Sequence, residues 1–381
     1  MKSQTGIQIG AGPIRLQEQL VPKTLHHAIA DLSADGSAAF QDREILSGCQ
    51  ARAALEGRAP APNVLVRPKS WIVLVVLFLV LVLRIPDAQA APAPVDSRGL
   101  QAVVDSAVNG TLKEFAAKQL QSNQLAVTLV DLREPAKPVQ ASYRGGEMIY
   151  PASVVKLCYL VAAHQWMEEG RLADTPELRR AMRDMIVVSY NEATHYVVDL
   201  LTGTTSGPEL PEREIDEWFE KRNAVNRYFF SLGYTNINAN KKPWYEGPYG
   251  RESQSIQRHK PNRNMLTTDA TARLLTEIVT GRAVTAKRSA EMLELMKRDP
   301  AVPSTDPDSQ AHVFSALGLP PGAKLWSKAG LTSQTRHDAA YVELPGGSKF
   351  VLVTFTTDHA DEKGIIAAIV KRVVAGMSQP Q

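Results

Sequence analysis

The chain has 381 residues, 44% hydrophobic and 22% charged, with a formal net charge of +3. That is ordinary globular composition, which excludes a mostly disordered, collagen-like or polytopic membrane chain. The charge bias is too weak, and the Lys/Arg runs too short, to argue for a nucleic-acid partner. Cys49 and Cys158 cannot make a disulfide scaffold, and neither they nor the scattered histidines show zinc-site spacing, so no metal or cofactor is expected.

Residues 1–66 carry scattered Gly, Ala and Pro with little periodicity and are expected to be a disordered extension. The apolar run Trp71–Leu83 is shorter than the roughly 20 residues a spanning helix needs. Arg67 and Lys69 precede it, Pro86 breaks it, and Ala88-Gln89-Ala90 follows as a small-residue cleavage pattern. Residues 67–90 therefore read as an export signal cut after Ala90, with a transient membrane contact through 71–83. The alternative is an uncleaved single-pass anchor with the folded domain outside. A signal placed this far along implies translation starting near Val64 or Val66, which N-terminal sequencing of the precursor tests. Residues 91–99 are an Ala/Pro linker, and 100–381 is the folded domain. It keeps one thiol, Cys158, on an apolar helix where it reads as core.

Within that domain, Leu100–Leu120 is an amphipathic helix, and Leu125–Leu132 and Val139–Tyr143 are strands. Ala152–Glu169 is helical and mostly apolar, and Leu178–Leu201 is helical but broken at Ser189-Tyr190-Asn191. Residues 203–264 are polar and rich in Gly, Pro and Asn, with one helix at Glu212–Leu232 and a basic solvated loop at Arg251–Arg263. Helices follow at Thr268–Thr280, capped by Thr267 or Thr268, and at Thr285–Lys297. Strands at Ala323–Lys328, Asp338–Leu344 and Phe350–Thr357 come next, the last two joined by a Pro-Gly-Gly-Ser turn, and residues 361–376 close the chain as a helix. This order suits one antiparallel sheet with helices on its faces.

Three short motifs carry chemistry. Ser153-Val154-Val155-Lys156 begins a helix, so the serine and lysine lie on one side of it. A serine hydroxyl needs a base to become a nucleophile, and a lysine with a lowered pKa can be that base. Taken alone, about one such pattern is expected by chance in a chain this long. Ser189-Tyr190-Asn191 interrupts an apolar helical region, where the pair could shuttle a proton and bind an amide, or simply cap a helix. Lys328-Ala329-Gly330 ends a strand, where the lysine offers charge to a carboxylate and the glycine lets a substrate backbone approach. The plainer reading of that triplet is an edge strand protected by Lys and closed by Gly.

In this order and context the motifs resemble those of the penicillin-interactive serine hydrolases, the β-lactamase and DD-peptidase superfamily, nearest to its class A branch. Tyr150–Leu157 looks like that family's nucleophile helix, Met265–Ala272 like its later Thr-Thr helix start, and Arg336–Val342 like the strand after its K-x-G motif. The resemblance implies an α/β fold: a β-lactamase/transpeptidase-like sandwich, an antiparallel five-stranded sheet flanked by helices, plus an all-helical subdomain. It implies Ser153 as acylated nucleophile, Lys156 as base, Ser189 as proton shuttle, Asn191 as amide ligand and Lys328 as carboxylate contact. The N–H groups of Ser153 and Leu331 would form the oxyanion hole, with Ala329 and Gly330 lining the substrate strand and Arg336 a second carboxylate contact.

The departures are specific. Tyr190 replaces the usual Asp, and Ala329 replaces a hydroxyl worth roughly 1.5–3 kcal/mol to a bound carboxylate. The 139-residue separation of Ser189 and Lys328 is long, with the extra length expected in 203–264. Lys242-Pro243-Trp244-Tyr245-Glu246 loosely echoes the deacylation segment, with Glu246 as candidate general base or as a surface loop acid. Trp244, Tyr245 and Tyr249 line the cleft or anchor the loop, and His195 and His337 read as structural. The expected function is an exported, monomeric active-site serine hydrolase acting on an amide or ester, a β-lactam or a peptidoglycan peptide. The alternative is a catalytically impaired relative that binds cell-wall fragments or a protein partner.

Overall fold

The computed structural model describes residues 97–244, 247–260, 262–301 and 314–378. The expected extension, signal segment and Glu246 lie outside the described residues. Among the described residues no helix is long and apolar enough to cross a membrane.

Helix α1 (Ser97–Glu114) leads into strands β1 (Leu125–Asp131) and β2 (Val139–Tyr143). A helical body follows: α2 (Lys156–Glu168), α3 (Pro176–Val187), α4 (Asn191–Thr202), α5 (Glu212–Arg222), α6 (Ala224–Ser231), α7 (Gly250–Arg258), α8 (Thr268–Val279) and α9 (Ala286–Met296). Two short strands, β3 (Ile237–Asn238) and β4 (Met265–Leu266), pair within it. The chain then adds β5 (Lys297–Arg298), β6 (Lys324–Leu331), β7 (Thr335–Glu343) and β8 (Lys349–Thr357), and ends in α10 (Gly364–Met377).

The main sheet is antiparallel in the order β2-β1-β8-β7-β6-β5. Five strands are long, and the two-residue β5 adds a sixth at the edge, too short to leave a pattern in sequence. Alternate residues of each strand serve two cores. Val127, Leu129, Ala340, Val342 and Leu352 pack with α1 and α10. Ala126, Val130, Ala339, Tyr341, Val353 and Phe355 pack with the helical body. Because both faces are covered, β1 is a continuous apolar run rather than an alternating one. Helix α2 runs through the centre of the body, buried almost all round, which explains why it has no polar face.

Two expectations change in the 203–264 segment. The single helix at 212–232 is two helices, hinged at Asn223, which ends α5 and precedes α6. The basic loop at 251–263 begins as α7, with Glu252 and Ser255 buried.

Candidate active site

Pro151 leads into a 3₁₀ turn, Ala152–Val155, that runs straight into α2. Proline suits a helix entrance, where its missing N–H costs nothing. Ala152 sits at φ 46°, a left-handed conformation costing an L-residue roughly 1–2 kcal/mol. Such strain tends to collect where geometry serves chemistry. The turn presents Ser153, 7% exposed, above Lys156, which is fully buried.

The turn packs against the outer edge of β6. Strand β5 pairs only with Leu325 and Trp326, so this edge is unpaired by any strand at Lys328–Leu331 among the described residues. A Cβ on Gly330 would stand 2.7 Å from the Pro151 carbonyl oxygen and 3.2 Å from Ser153 N. Glycine is needed there for the Pro151–Ser153 turn to approach, a reason its motif did not suggest. Nor is the triplet a strand end, since β6 continues to Leu331.

Ser189 occupies the kink between α3 and α4 at φ 61°. This left-handed residue turns both its carbonyl and its hydroxyl towards α2. Lys156 Nζ donates to Ser189 O at 2.6 Å, to Ser189 Oγ at 3.1 Å and to Asn191 Oδ1 at 2.9 Å. Lys328 Nζ reaches the same Ser189 Oγ at 2.9 Å and Ala329 O at 2.8 Å. Burial pulls the Lys156 amine down to about 7, with Glu192 opposing slightly. Burial, then the neighbouring Lys156 and Arg298 charges, also holds Lys328 well below the ordinary lysine range. Two ammonium groups around one oxygen repel each other, so the cluster favours at least one neutral amine at neutral pH. A neutral amine one turn below a serine, joined to a second hydroxyl, can accept and relay a proton.

Two residues support the site, Arg298, which sequence reasoning missed, and His337, read there as structural. Arg298 Nη2 donates to Ile186 O at 2.9 Å and Ser327 O at 3.2 Å, tying the end of α3 to β6 beneath the site. His337 on β7 accepts from Thr356 N at 3.1 Å through Nδ1, so its Nε2 carries the proton and donates to Tyr150 O at 2.9 Å. The imidazole thus pins the chain three residues before Ser153. Arg298 sits on a two-residue strand that leaves no period, so nothing in the sequence pattern flagged it.

The structure gathers Ser153, Lys156, Ser189, Asn191, Lys328 and Gly330. Thr332 N donates to Thr335 O at 2.9 Å, so the adjoining Leu331–Arg336 pair is a non-hydrogen-bonded one and Leu331 N–H points away from β7. Ala329 faces the other core and is fully buried. Arg336 also lies on that opposite face, 2% exposed, with Nε donating to Ala360 O at 2.7 Å and its guanidinium over the Phe314 ring. Both side chains are buried on that face, where Arg336, expected as a second carboxylate contact, is held by a main-chain carbonyl. Glu246 and Tyr245 lie outside the described residues. Among the described residues no group of three or more His, Cys, Asp or Glu side chains could hold a metal ion.

The neighbouring 203–264 segment is held by buried ions. Arg222 donates to Glu252 at 2.8 Å and lies 3.4 Å from Asp199, and Lys242 Nζ meets Asp199 Oδ2 at 2.7 Å. Trp244 packs on His195, with ring centroids 4.3 Å apart, and on Tyr249 at 5.6 Å. His195 Nε2 bonds the Pro243 carbonyl, consistent with a structural role.

The chain belongs to the beta-lactamase enzyme family, whose model matches residues 174–376. The match takes in Ser189 and Lys328 and begins after the Ser153–Lys156 turn. Among solved structures, the β-lactamase of Sphaerobacter thermophilus is 18% identical, covering 73% of this chain and 97% of its own, with a TM-score of 0.50. A mutant of PBP-A in acyl-enzyme complex with penicillin G is 16% identical over 74% of this chain and 98% of its own, at 0.52. The TLA-3 extended-spectrum β-lactamase is 14% identical over 72% of this chain and 100% of its own, also at 0.52. These show the fold. No curated protein matches the sequence.

Proposed function

We propose that this protein is an exported serine hydrolase that opens an amide or ester, a β-lactam or peptidoglycan peptide, through an acyl-enzyme on Ser153. The observation that carries the reading is the Lys156 amine, drawn to about 7 by burial and hydrogen-bonded to Ser189 and Asn191 one turn below the serine. Neutral Lys156 takes the Ser153 proton as the oxygen attacks the carbonyl carbon. The developing oxyanion is met by the N–H groups of Ser153 and Leu331. Ser189 and Lys328 return the proton to the leaving nitrogen or oxygen, and water completes the hydrolysis. Export rests on the basic, apolar and Ala-Gln-Ala pattern of residues 67–90.

A second reading, a binding protein that acylates poorly, is favoured by the absence of a hydroxyl at Ala329 and by its full burial. Mass spectrometry of the purified chain with a labelled penicillin separates the two, with Ser153→Ala as control. A transient adduct with cleaved drug in solution supports hydrolysis, and a lasting adduct supports acylation without turnover. If neither penicillin nor a fluorophosphonate modifies Ser153, the hydrolase reading fails.

A further inference from the structure

We propose that a cavity of about 380 Å³ beside the serine–lysine site is a subsite for a carboxylate carried by the acyl part of the substrate. The inference deepens the acyl-transfer reading and rests on it. Its walls come from the elements that carry the site. Tyr150 lies three residues before Ser153. Trp244 packs on His195, which follows Asn191 by one turn of α4, a rise of about 6 Å.

The lining asks for an anion. Asn262 is 5% exposed, and its Nδ2 has no hydrogen-bond partner. An unpaired buried donor is costly, and a ligand oxygen would satisfy it. Among the described residues that line the cavity, Lys241 and Lys242 are buried, Lys242 is paired with Asp199 at 2.7 Å, and no carboxylate stands in the wall itself. The Lys241 ammonium meets the Glu252 carbonyl oxygen at 3.3 Å and the Ser255 hydroxyl, and makes no ion pair with a carboxylate among the described residues. Its main chain is clamped, with Tyr159 Oη and Asn264 Nδ2 both donating to Lys241 O, at 2.7 and 2.8 Å. At the rim, Arg263 is exposed and lies 3.8 Å over the Tyr150 ring, with no carboxylate partner among the described residues.

Among the described residues, the cavity therefore pairs a basic lining and one idle amide donor with the aromatic flanks of Tyr150 and Trp244. A short carbon stem ending in a carboxylate matches that combination. One amide and one rim guanidinium suit the two oxygens of a carboxylate better than the three of a phosphate.

Titration calorimetry on the full chain carrying Ser153→Ala tests this, using glutaryl-glycine and its ω-amide, which differ by one carboxylate. The acid should bind at least about tenfold tighter, as expected for a hydrogen bond to a charged group. The preference should vanish on adding Asn262→Asp, which sets a like charge in the cavity, or Arg263→Glu, which lies on the surface and leaves packing intact. Equal affinity for the two probes, no heat from either, or a preference that survives both variants would overturn the subsite. Acylation of Ser153 in the unmutated chain, read by mass, is scored separately. Acylation without a carboxylate preference sinks the subsite alone, and a preference without acylation sinks the parent reading and leaves only an anion site.

Discussion

Lys156 and Lys242 are both buried lysines within the helical body, and they differ in what they touch. Lys156 meets hydroxyl, carbonyl and amide oxygens, none of which carries a charge. Lys242 meets the Asp199 carboxylate. Burial lowers both amines, but for Lys242 the carboxylate offsets much of that effect, whereas Lys156 is drawn to about 7. The contrast separates a lysine free to lose its proton from one that serves as a strut. Burial without a counter-charge makes a lysine give up its proton near neutral pH, and burial with one locks it in place.

The sharpest way to break this contrast is at Lys156 itself. Lys156→Met keeps the apolar stem and should slow acylation of Ser153 by about 10²–10⁴-fold, the range for losing a positioned base. Stopped-flow acylation with intact circular dichroism checks it. Next in size, Glu252→Gln leaves buried Arg222 only the longer 3.4 Å contact to Asp199 and should cost up to about 3–5 kcal/mol in urea unfolding. Acylation by the folded fraction should not change, and a large activity loss there would place the ion network in the chemistry.

The pH profile sharpens the same point. Acylation should rise by about tenfold per unit below pH 7 and level off above it, because only neutral Lys156 accepts the proton. Stability should move in the same direction. An unfolded Lys156 holds its proton to about 10.5 and the folded one releases it near 7. Between those values the unfolded chain binds more protons, so the folded state gains as pH rises, and Lys156→Met removes that slope. The smallest effect is expected at Gly330→Ala, where the new methyl meets the Pro151 oxygen. A loss of about 1–3 kcal/mol is typical of such overpacking. A larger fractional loss of acylation than of stability would show that the turn's position, not just its packing, matters.

Much of the site was legible because its residues are few, polar and set against apolar helices. Ser153, Lys156, Ser189 and Lys328 stand out in sequence for that reason, and they meet in space. The strands of the main sheet were legible from their apolar runs, apart from β5, where two residues carry no period. The 203–264 segment was not. Helix α7 buries Glu252 and Ser255, so its inward face is polar and a hydrophobic period misses it. The role of Gly330 was hidden because the residues it admits, Pro151 to Ser153, lie far away in the chain. Arg336 reads as a ligand by its place in a motif, yet strand alternation turns it to the other face.

The tautomer of His337 has a consequence for life in acid. Its Nδ1 is committed to Thr356 N–H, so a second proton can be added only by giving up that bond. Burial holds the ring at about 4, against 6.5 when unfolded. As the medium falls from 6.5 towards 4, the unfolded chain takes up the proton first and stability drains away. Where the ring does charge, the tether to Tyr150 is reset directly behind the nucleophile turn. The protein thus carries an acid fuse behind Ser153: at mildly acid pH the fold weakens while the tether holds, the tether itself gives way only near 4, and His337→Gln, neutral at every pH, would blunt both.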